Sequence, residues 1–285
     1  MSSRPKTVFL TGASTGIGAA IADHLLKEGY AVWGTSRNKE RLKAFPALHP
    51  LELHLEHPAS IEAAWKQALD EAGHFDVVIQ NAGCGLYGSI EDVTLEDSRR
   101  LWSVLVEGPL FVLKLAAQHM RPRREGLIVG VSSLAVELPL CFSAHYSAGK
   151  AAFSSLLAVL WMELKPFGVQ VVDLRPGDIC TTFNKQLPQT APPNSAYSRW
   201  ADTAWALDQK FLQTAPPPEI IARTVGNLLR RKRNPPVIRR GSLFQAWIGP
   251  LGPRFLPRNT LLQLIRSYYG LMPVDAIGDR KPDAS

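Results

Sequence analysis

Residues 7–18, TVFLTGASTGIG, most narrow what this chain can become. A short apolar run ends in a glycine turn, and helical periodicity begins at once in IGAAIADHLLKEGY (17–30), closed by Gly29. The same grammar recurs downstream. AVWGTS (31–36) reads as a second strand, and FDVVIQNAG (75–83), GLIVGVSS (126–133) and VQVVDLRPG (169–177) read as buried strands ending in small or turn residues. SIEAAWKQALDEAG (60–73) is an amphipathic helix with Ser60 as its expected N-cap, and two longer helical stretches cover roughly 95–120 and 145–165. Strands alternating with helices predict an α/β fold: one doubly wound parallel sheet with helices on both faces.

The pattern loosens after Pro188. Proline clusters flank scattered Trp and Tyr in residues 188–218, the composition of a long lid over a binding site. The expected organisation is therefore a dinucleotide-binding and catalytic core over 1–187 and a substrate lid over 188–218. A C-terminal helix with a basic, apolar tail over 219–285 belongs to the same domain. The net charge of +7 is local: residues 207–285 hold 13 Lys/Arg against 5 Asp/Glu, a net +8, so the other residues sum to −1. The three cysteines, Cys84, Cys141 and Cys180, are widely spaced without a C-x-x-C, and read as reduced, mostly buried small hydrophobes rather than metal ligands. No secretory signal is visible, and no uninterrupted apolar run reaches the roughly 18 residues of a membrane span. A cytoplasmic protein, soluble or peripheral to a membrane, is expected.

TGASTGIG (11–18) lies between the first strand and the first helix, where a dinucleotide pyrophosphate binds in such sheets. Gly12 permits the tight turn, while Gly16 and Gly18 let the backbone and the helix N-terminus approach the phosphates. Four further features follow in order: N-A-G at 81–83, Ser133 thirteen residues before Tyr146, Tyr146-x-x-x-Lys150, and Pro176-Gly177. Over about residues 7–182 this series resembles the short-chain dehydrogenases/reductases. That resemblance implies a Rossmann fold, a nicotinamide cofactor and a homo-dimer or tetramer. It also implies cofactor contacts from Gly12, Ser14, Thr15, Gly16, Ile17 and Gly18, from Asn81, Ala82 and Gly83, and from Pro176, Gly177, Ile179 and Thr181.

The end of the second strand reads GTSRNKER, with Arg37 and no carboxylate before Glu40. Since a guanidinium grips a phosphate with charge-assisted bonds, NADP(H) is expected over NAD(H). Family members usually place Asp-Val after the third strand for an adenine contact. Here His54-Leu55 aligns there, and His54 either takes over that contact or leaves it unmade.

Tyr146 and Lys150, at i and i+4, project from one helix face. An ordinary tyrosine has a pKa of about 10, and a neighbouring ammonium would favour its phenolate, which suits general acid/base work. By resemblance Lys150 also holds the nicotinamide ribose. Ser133 would hydrogen-bond the substrate oxygen, while Ser132 alternates to the other side in a structural role. One departure stands out. Many relatives carry, three residues before a glycine in the central helix, an Asn supporting a water that relays protons to the lysine. Leu105 occupies that place, and nearby Glu107 has no assigned role.

Leu86, Leu134, Val136, Leu138, Cys141 and Phe142 supply an apolar pocket with no cluster of charge, suited to a lipophilic ketone or alcohol. NAGCGLYGSIED and ELKPFGVQVVDLRPGDICTTF are most similar to the 17β-hydroxysteroid and retinol dehydrogenase branch, and steroid, retinoid, isoprenoid and acyl-lipid carbonyls all stay open. The Arg- and aromatic-rich tail reads as a C-terminal lid and subunit contact, or as a peripheral membrane contact. Nucleic acid is not expected, because RRKR comes without a recognition fold. The expected activity is NADP(H)-dependent interconversion of a lipophilic carbonyl and its alcohol. The alternative is a cofactor-binding, catalytically weak interaction or sensor protein.

Overall fold

The structure, a computed structural model, describes residues 6–181, 187, 192, 194–242, 246 and 249–271. Seven strands form one parallel sheet: β1 (Thr7–Leu10), β2 (Ala31–Ser36), β3 (His49–Glu52), β4 (Val77–Gln80), β5 (Leu127–Val131), β6 (Gln170–Pro176) and β7 (Val237–Arg240). Their order is β3-β2-β1-β4-β5-β6-β7. The chain winds outward in one direction from β1 and then restarts at β4, so a crevice opens between the carboxyl ends of those two strands. The expected doubly wound α/β sheet is what forms.

Strand sequence explains the two cores. Side chains alternate across a sheet, and both faces here are covered, so the strands carry apolar residues at nearly every position. Val8, Leu10, Val77, Ile79 and Val129 face one side, where α1 (Gly16–Lys27) and α7 (Glu219–Arg230) pack with Ile21, Leu25, Ile221 and Val225. Phe9, Val78, Ile128 and Val171 face the other, against α2 (Pro58–Ala72), α4 (Gly108–Arg123) and α5 (Ala144–Leu164). Gly130 lets α5 come close to β5: a Cβ there would stand 2.4 Å from Leu157 Cδ1.

Four local expectations change. Helix α2 starts at Pro58 rather than beyond Ser60, because proline's fixed φ suits the first helical position, and His57 is the N-cap. Ser60 Oγ instead accepts the His54 backbone N–H at 3.0 Å. The stretch expected as one helix from about 95 is α3 (Leu95–Trp102), a single π turn at Ser103–Glu107, and then α4. Leu95–Arg123 as a whole is, by length and composition alone, long and apolar enough to cross a membrane. Half of its apolar window is buried inside this fold, where Val104, Leu105, Val112, Leu113, Ala116 and Met120 are core residues. β7 arises from PPVIRRG, which carried no strand signal beyond Val-Ile; it pairs with β6, so the C-terminal segment completes the sheet. Cys180 is exposed, while Cys84 and Cys141 are partly buried, and all three are free.

Above the crevice lies α6 (Ser198–Gln213), inside the expected lid. It is tied down where the loop after β4 reaches it: Tyr87 OH donates to Ala201 O at 2.8 Å, and the Tyr87 ring meets Trp205 edge-on at 4.8 Å. The short α8 (Gly252–Phe255) and α9 (Arg258–Tyr268) close the far side, with Phe211 of α6 stacked on Tyr268 at 5.2 Å. Residues 188–191 and 193 of the expected lid, and 272–285 of the tail, lie outside the described residues.

The Gly130–Leu157 approach makes a test of the α5 packing. Gly130→Ala is expected to cost about 1–3 kcal/mol by overpacking, read as a lower urea midpoint. Adding Leu157→Ala should make the two changes less than additive, since the second removes the atoms that the first meets. Strict additivity would show that α5 does not seat on β5 through this glycine.

Candidate active site

A parallel sheet puts every strand's carboxyl end on one edge, so each loop leaving that edge reaches the same cleft. The cleft has a volume of about 1070 Å³. Gly12, Ser14, Thr15, Gly16, Ile17 and Gly18 line it from β1–α1, Arg37 from β2, Asn81, Ala82 and Gly83 from β4, and Ser133 from β5. Tyr146 and Lys150 line it from α5, and Pro176, Gly177, Ile179 and Thr181 from the loop after β6. Of the residues singled out in the sequence for a cofactor, only His54 stays outside this lining. Leu53 and Leu55 face the cleft, and His54 turns into an adjoining surface depression with Arg37, Glu56, His57, Arg100 and Ser103. Its ring nitrogen Nε2 lies 3.2 Å from Glu52 Oε1.

The glycine turn is held shut by backbone proximity and one amide. A Cβ on Gly18 would stand 1.9 Å from Gly12 O, and one on Gly12, at φ 70°, would stand 2.9 Å from Ala82 Cα. Asn81 Nδ2 donates to Thr11 O at 3.1 Å and to Gly12 O at 3.2 Å. Thr11 Oγ1 accepts the Asn81 and Ala82 amides, both at 3.0 Å, and donates to Gln80 Oε1 at 2.9 Å. Gln80 thus belongs to the clasp. At the start of α1 the N-cap Thr15 makes no side-chain capping bond, and no acidic residue occupies the first turn. Unfilled amides at the positive end of a helix, on a floor where side chains cannot stand, fit a dinucleotide pyrophosphate. Arg37 is exposed on the cleft wall beside this floor.

Ser133 ends β5 and caps a single 3-10 turn, its Oγ accepting the Ala135 N–H at 3.1 Å. The same hydroxyl hydrogen-bonds Tyr146. Burial pushes the Tyr146 phenol up to about 12, against the lesser lowering effect of that bond. Lys150, one turn along α5, donates from Nζ to Val131 O at 2.9 Å, and its own burial brings it down to about 8. Its Nζ is 5.9 Å from the Tyr146 ring centroid. The expected phenolate stabilisation by a neighbouring ammonium does not dominate here, because desolvation outweighs it and the ammonium is directed at a carbonyl. The resting arrangement is a protonated phenol against a hydroxyl, a proton donor aimed into the cleft.

Leu105 sits in the π turn, almost fully buried. Its side chain fills the space beside Gly83 and Gly149, whose added Cβ atoms would stand 3.3 and 2.9 Å from it. Glu107 is exposed and does not line the cleft. Ser132 also borders the cleft, but its hydroxyl is engaged behind it, donating to Asp173 Oδ1. Asp173 also accepts Ser154 Oγ and Arg175 Nε, each at 2.7 Å, in a buried network behind the site.

The substrate half differs in part from expectation. Leu86, Leu134 and Leu138 line the cleft, whereas Val136, Cys141 and Phe142 are not among its lining residues. Most of the remaining wall comes from Trp205, Asp208, Gln209, Phe211 and Leu212 of α6 and from Leu261, Leu264, Ile265, Tyr268 and Tyr269 at α9. No motif marks these residues. The one available signal was amphipathic spacing in two short C-terminal helices, which does not say what the apolar face covers.

Comparison with known proteins agrees with this geometry. The short chain dehydrogenase family matches residues 6–192. The 3-ketodihydrosphingosine reductase of Bacteroides thetaiotaomicron is 27% identical over 94% of this chain and 99% of its own length. A short-chain dehydrogenase of Penicillium crustosum, PC-15, is 32% identical over 92% of this chain and 98% of its own. The crystal structure of a Streptomyces avermitilis short-chain dehydrogenase superposes with a TM-score of 0.80 at 27% identity, covering 98% of this chain and all of that one. Solved neighbours hold NADP in some cases and NAD in others. The cleft at the strand ends, the glycine clasp and the family match across about two-thirds of the sequence lead to one conclusion: this chain belongs to the short chain dehydrogenase family of oxidoreductases.

Proposed function

We propose that this protein is an NADP(H)-dependent reductase of a lipophilic ketone or aldehyde, working reversibly on the corresponding alcohol, with Tyr146 as general acid/base. The observation that carries the reading is the hydrogen-bonded Ser133–Tyr146 pair, with Lys150 one turn away, on the wall of a largely apolar cleft. A bound nicotinamide supplies the hydride chemistry. Gly12, Gly16 and Gly18 hold its pyrophosphate, Arg37 its 2′-phosphate, and Lys150 its ribose. Ser133 steadies the carbonyl oxygen and Tyr146 hands it a proton. A lipid-like carbonyl suits the Leu- and aromatic-lined half of the cleft, and the relative named 3-ketodihydrosphingosine reductase supports that class over a steroid or retinoid. Exposed Leu110, Val159 and Met162 on α4 and α5 support self-association.

Leu105 favours a second reading, slow turnover. A leucine beside Gly83 and Gly149 holds no relay water, so re-protonation past Lys150 limits the rate. Leu105→Asn is expected to raise kcat if so, and an unchanged kcat assigns the limiting step elsewhere.

Direction and pH separate cleanly. Tyr146 near 12 is protonated throughout the neutral range, so the acid needed for reduction is already present. Oxidation needs the phenolate, whose fraction rises tenfold per pH unit below that value. Alcohol oxidation should therefore accelerate from pH 7 to 9 while carbonyl reduction does not. Tyr146→Phe should lower both by at least a hundredfold. An oxidation rate that falls over this interval would remove Tyr146 as the base.

Arg37→Asp should reverse the cofactor preference, read as the ratio of kcat/KM for NADPH to that for NADH. A ratio unmoved by the substitution rejects the assignment of Arg37.

The peripheral membrane contact stands as part of this proposal, with a defined surface. Phe255, 77% exposed, and exposed Leu256, Leu262 and Leu264 lie with Arg258 on and between α8 and α9, where Leu256 and Leu264 also line the cleft. Truncation would remove β7 and with it part of the sheet, so point changes are the fair test. Phe255→Ser with Leu262→Ser should lower flotation on anionic vesicles several-fold. Equal flotation discards the contact.

A further inference from the structure

The apolar half of the cleft contains one feature that a plain lipophilic ketone would not need. Asp208, on the inner side of α6, faces the chamber among Trp205, Phe211, Leu212 and Ile265. Within the described residues its neighbours offer no cation. Tyr269 donates a hydrogen bond to it, and Asp178 acts on it as a like charge. Next to it, Gln209 also lines the chamber, and among the described residues its buried Nε2 has no hydrogen-bond partner. The cations that do line the cleft, Arg37, Arg41, Arg100 and Lys150, belong to the cofactor side. A carboxyl placed in apolar surroundings beside another carboxylate, and an amide N–H with nothing to donate to, are both costly to bury. Each is relieved by a ligand of the opposite character.

Resting on the oxidoreductase reading above, we infer that Asp208 and Gln209 form a second anchor point in the substrate chamber, which recognises the ammonium group of an amino ketone. The ammonium pairs with Asp208, and an oxygen on the same molecule accepts from Gln209. Asp178 acts electrostatically on both Tyr146 and Asp208, so the proton-donating end and the anchor belong to one chamber. The ligand class is thus a lipophilic carbonyl compound with a protonated amine, held at the charged group by α6 and at the carbonyl by Ser133 and Tyr146.

The charge state of the anchor gives the proposal a pH signature. Burial, with Asp178 adding to it, raises Asp208 to about 7. The other groups around the anchor are Tyr87 from the loop after β4, Cys141 ahead of α5, Tyr268 of α9 with Tyr269 just after it, and Asp202 earlier on α6. Burial raises all three phenols and brings the Cys141 thiol to about 11, so these groups keep their protons near neutrality. As pH falls below 7 Asp208 takes up a proton and its attraction for an ammonium is lost; as pH rises above 7 the attraction is restored.

The test uses the full chain with NADPH and a set of medium-chain ketones bearing a primary amine at graded distances from the carbonyl. Each amine is matched by a hydroxyl and a methyl twin. At pH 8 at least one amino ketone should exceed both twins in kcat/KM by about tenfold or more, mainly through KM. That ratio should shrink between pH 8 and 6. Asp208→Asn should collapse it, and Asp208→Glu should restore part of it. Ratios near one for every amine, a hydroxyl twin preferred over its amine, or a preference that survives Asp208→Asn would each overturn the anchor. If no ketone is reduced, the oxidoreductase reading fails separately. The anchor is then decided by whether the amines raise the Tm of the wild type more than that of Asp208→Asn, and equal shifts reject it.

Discussion

The site depends on one close approach of backbone to backbone. The carbonyl of Gly12 lies where any side chain on Gly18 would have to be, and Asn81 bridges from β4 to the Thr11 and Gly12 carbonyls. Through that contact the turn after β1, the N-terminus of α1 and the end of β4 become one rigid floor. A Cβ at Gly18 would push α1 off the turn, and the unfilled amides at its start would no longer face the crevice. The shape of this floor is a consequence of packing geometry rather than of side-chain charge.

A second constraint places the proton donor. Gly130 admits α5 onto β5, and Gly149 admits Leu105 against α5, so the helix carrying Tyr146 and Lys150 is pressed between the sheet and the π turn. This burial sets the character of both groups. Desolvation holds Tyr146 as a phenol and weakens the hold of Lys150 on its proton, with the ammonium directed at Val131 O. The spacing of Tyr and Lys suggested an ammonium lowering a phenol. Their surroundings reverse the sign for tyrosine, because removing water from a phenolate costs more than a cation bonded elsewhere returns.

Much of the fold and the cofactor floor was legible in the sequence because both rest on local chemistry. Glycines at 12, 16 and 18, central strands that are largely apolar, and helices beginning directly after them admit few arrangements. What escaped was non-local. Ser60 looked like a helix cap until the preceding proline took the first helical position. The π turn at 103–107 has no pattern of its own, and β7 is a strand because β6 offers it an unpaired edge. His54 missed the cleft because neighbours in an extended segment point to opposite sides, and Leu53 and Leu55 took the inward positions.

The substrate chamber shows the division most plainly. Sequence alone determined an α/β sheet, a dinucleotide turn and a Ser-Tyr-Lys series in family order, since each is written in residues a few positions apart. It also supplied apolar residues for a pocket. Only the tertiary structure decided which of them line it. Val136, Cys141 and Phe142 are not among the lining residues, while α6 and α9, some 50 positions apart in the chain, supply much of the wall. That is also where Asp208 acquires its character. An aspartate in a helix is ordinarily a solvated charge. Here it lines an apolar chamber with Trp205, Phe211 and Ile265, and Tyr269 at the end of α9 hydrogen-bonds it, and only three-dimensional packing creates such an environment.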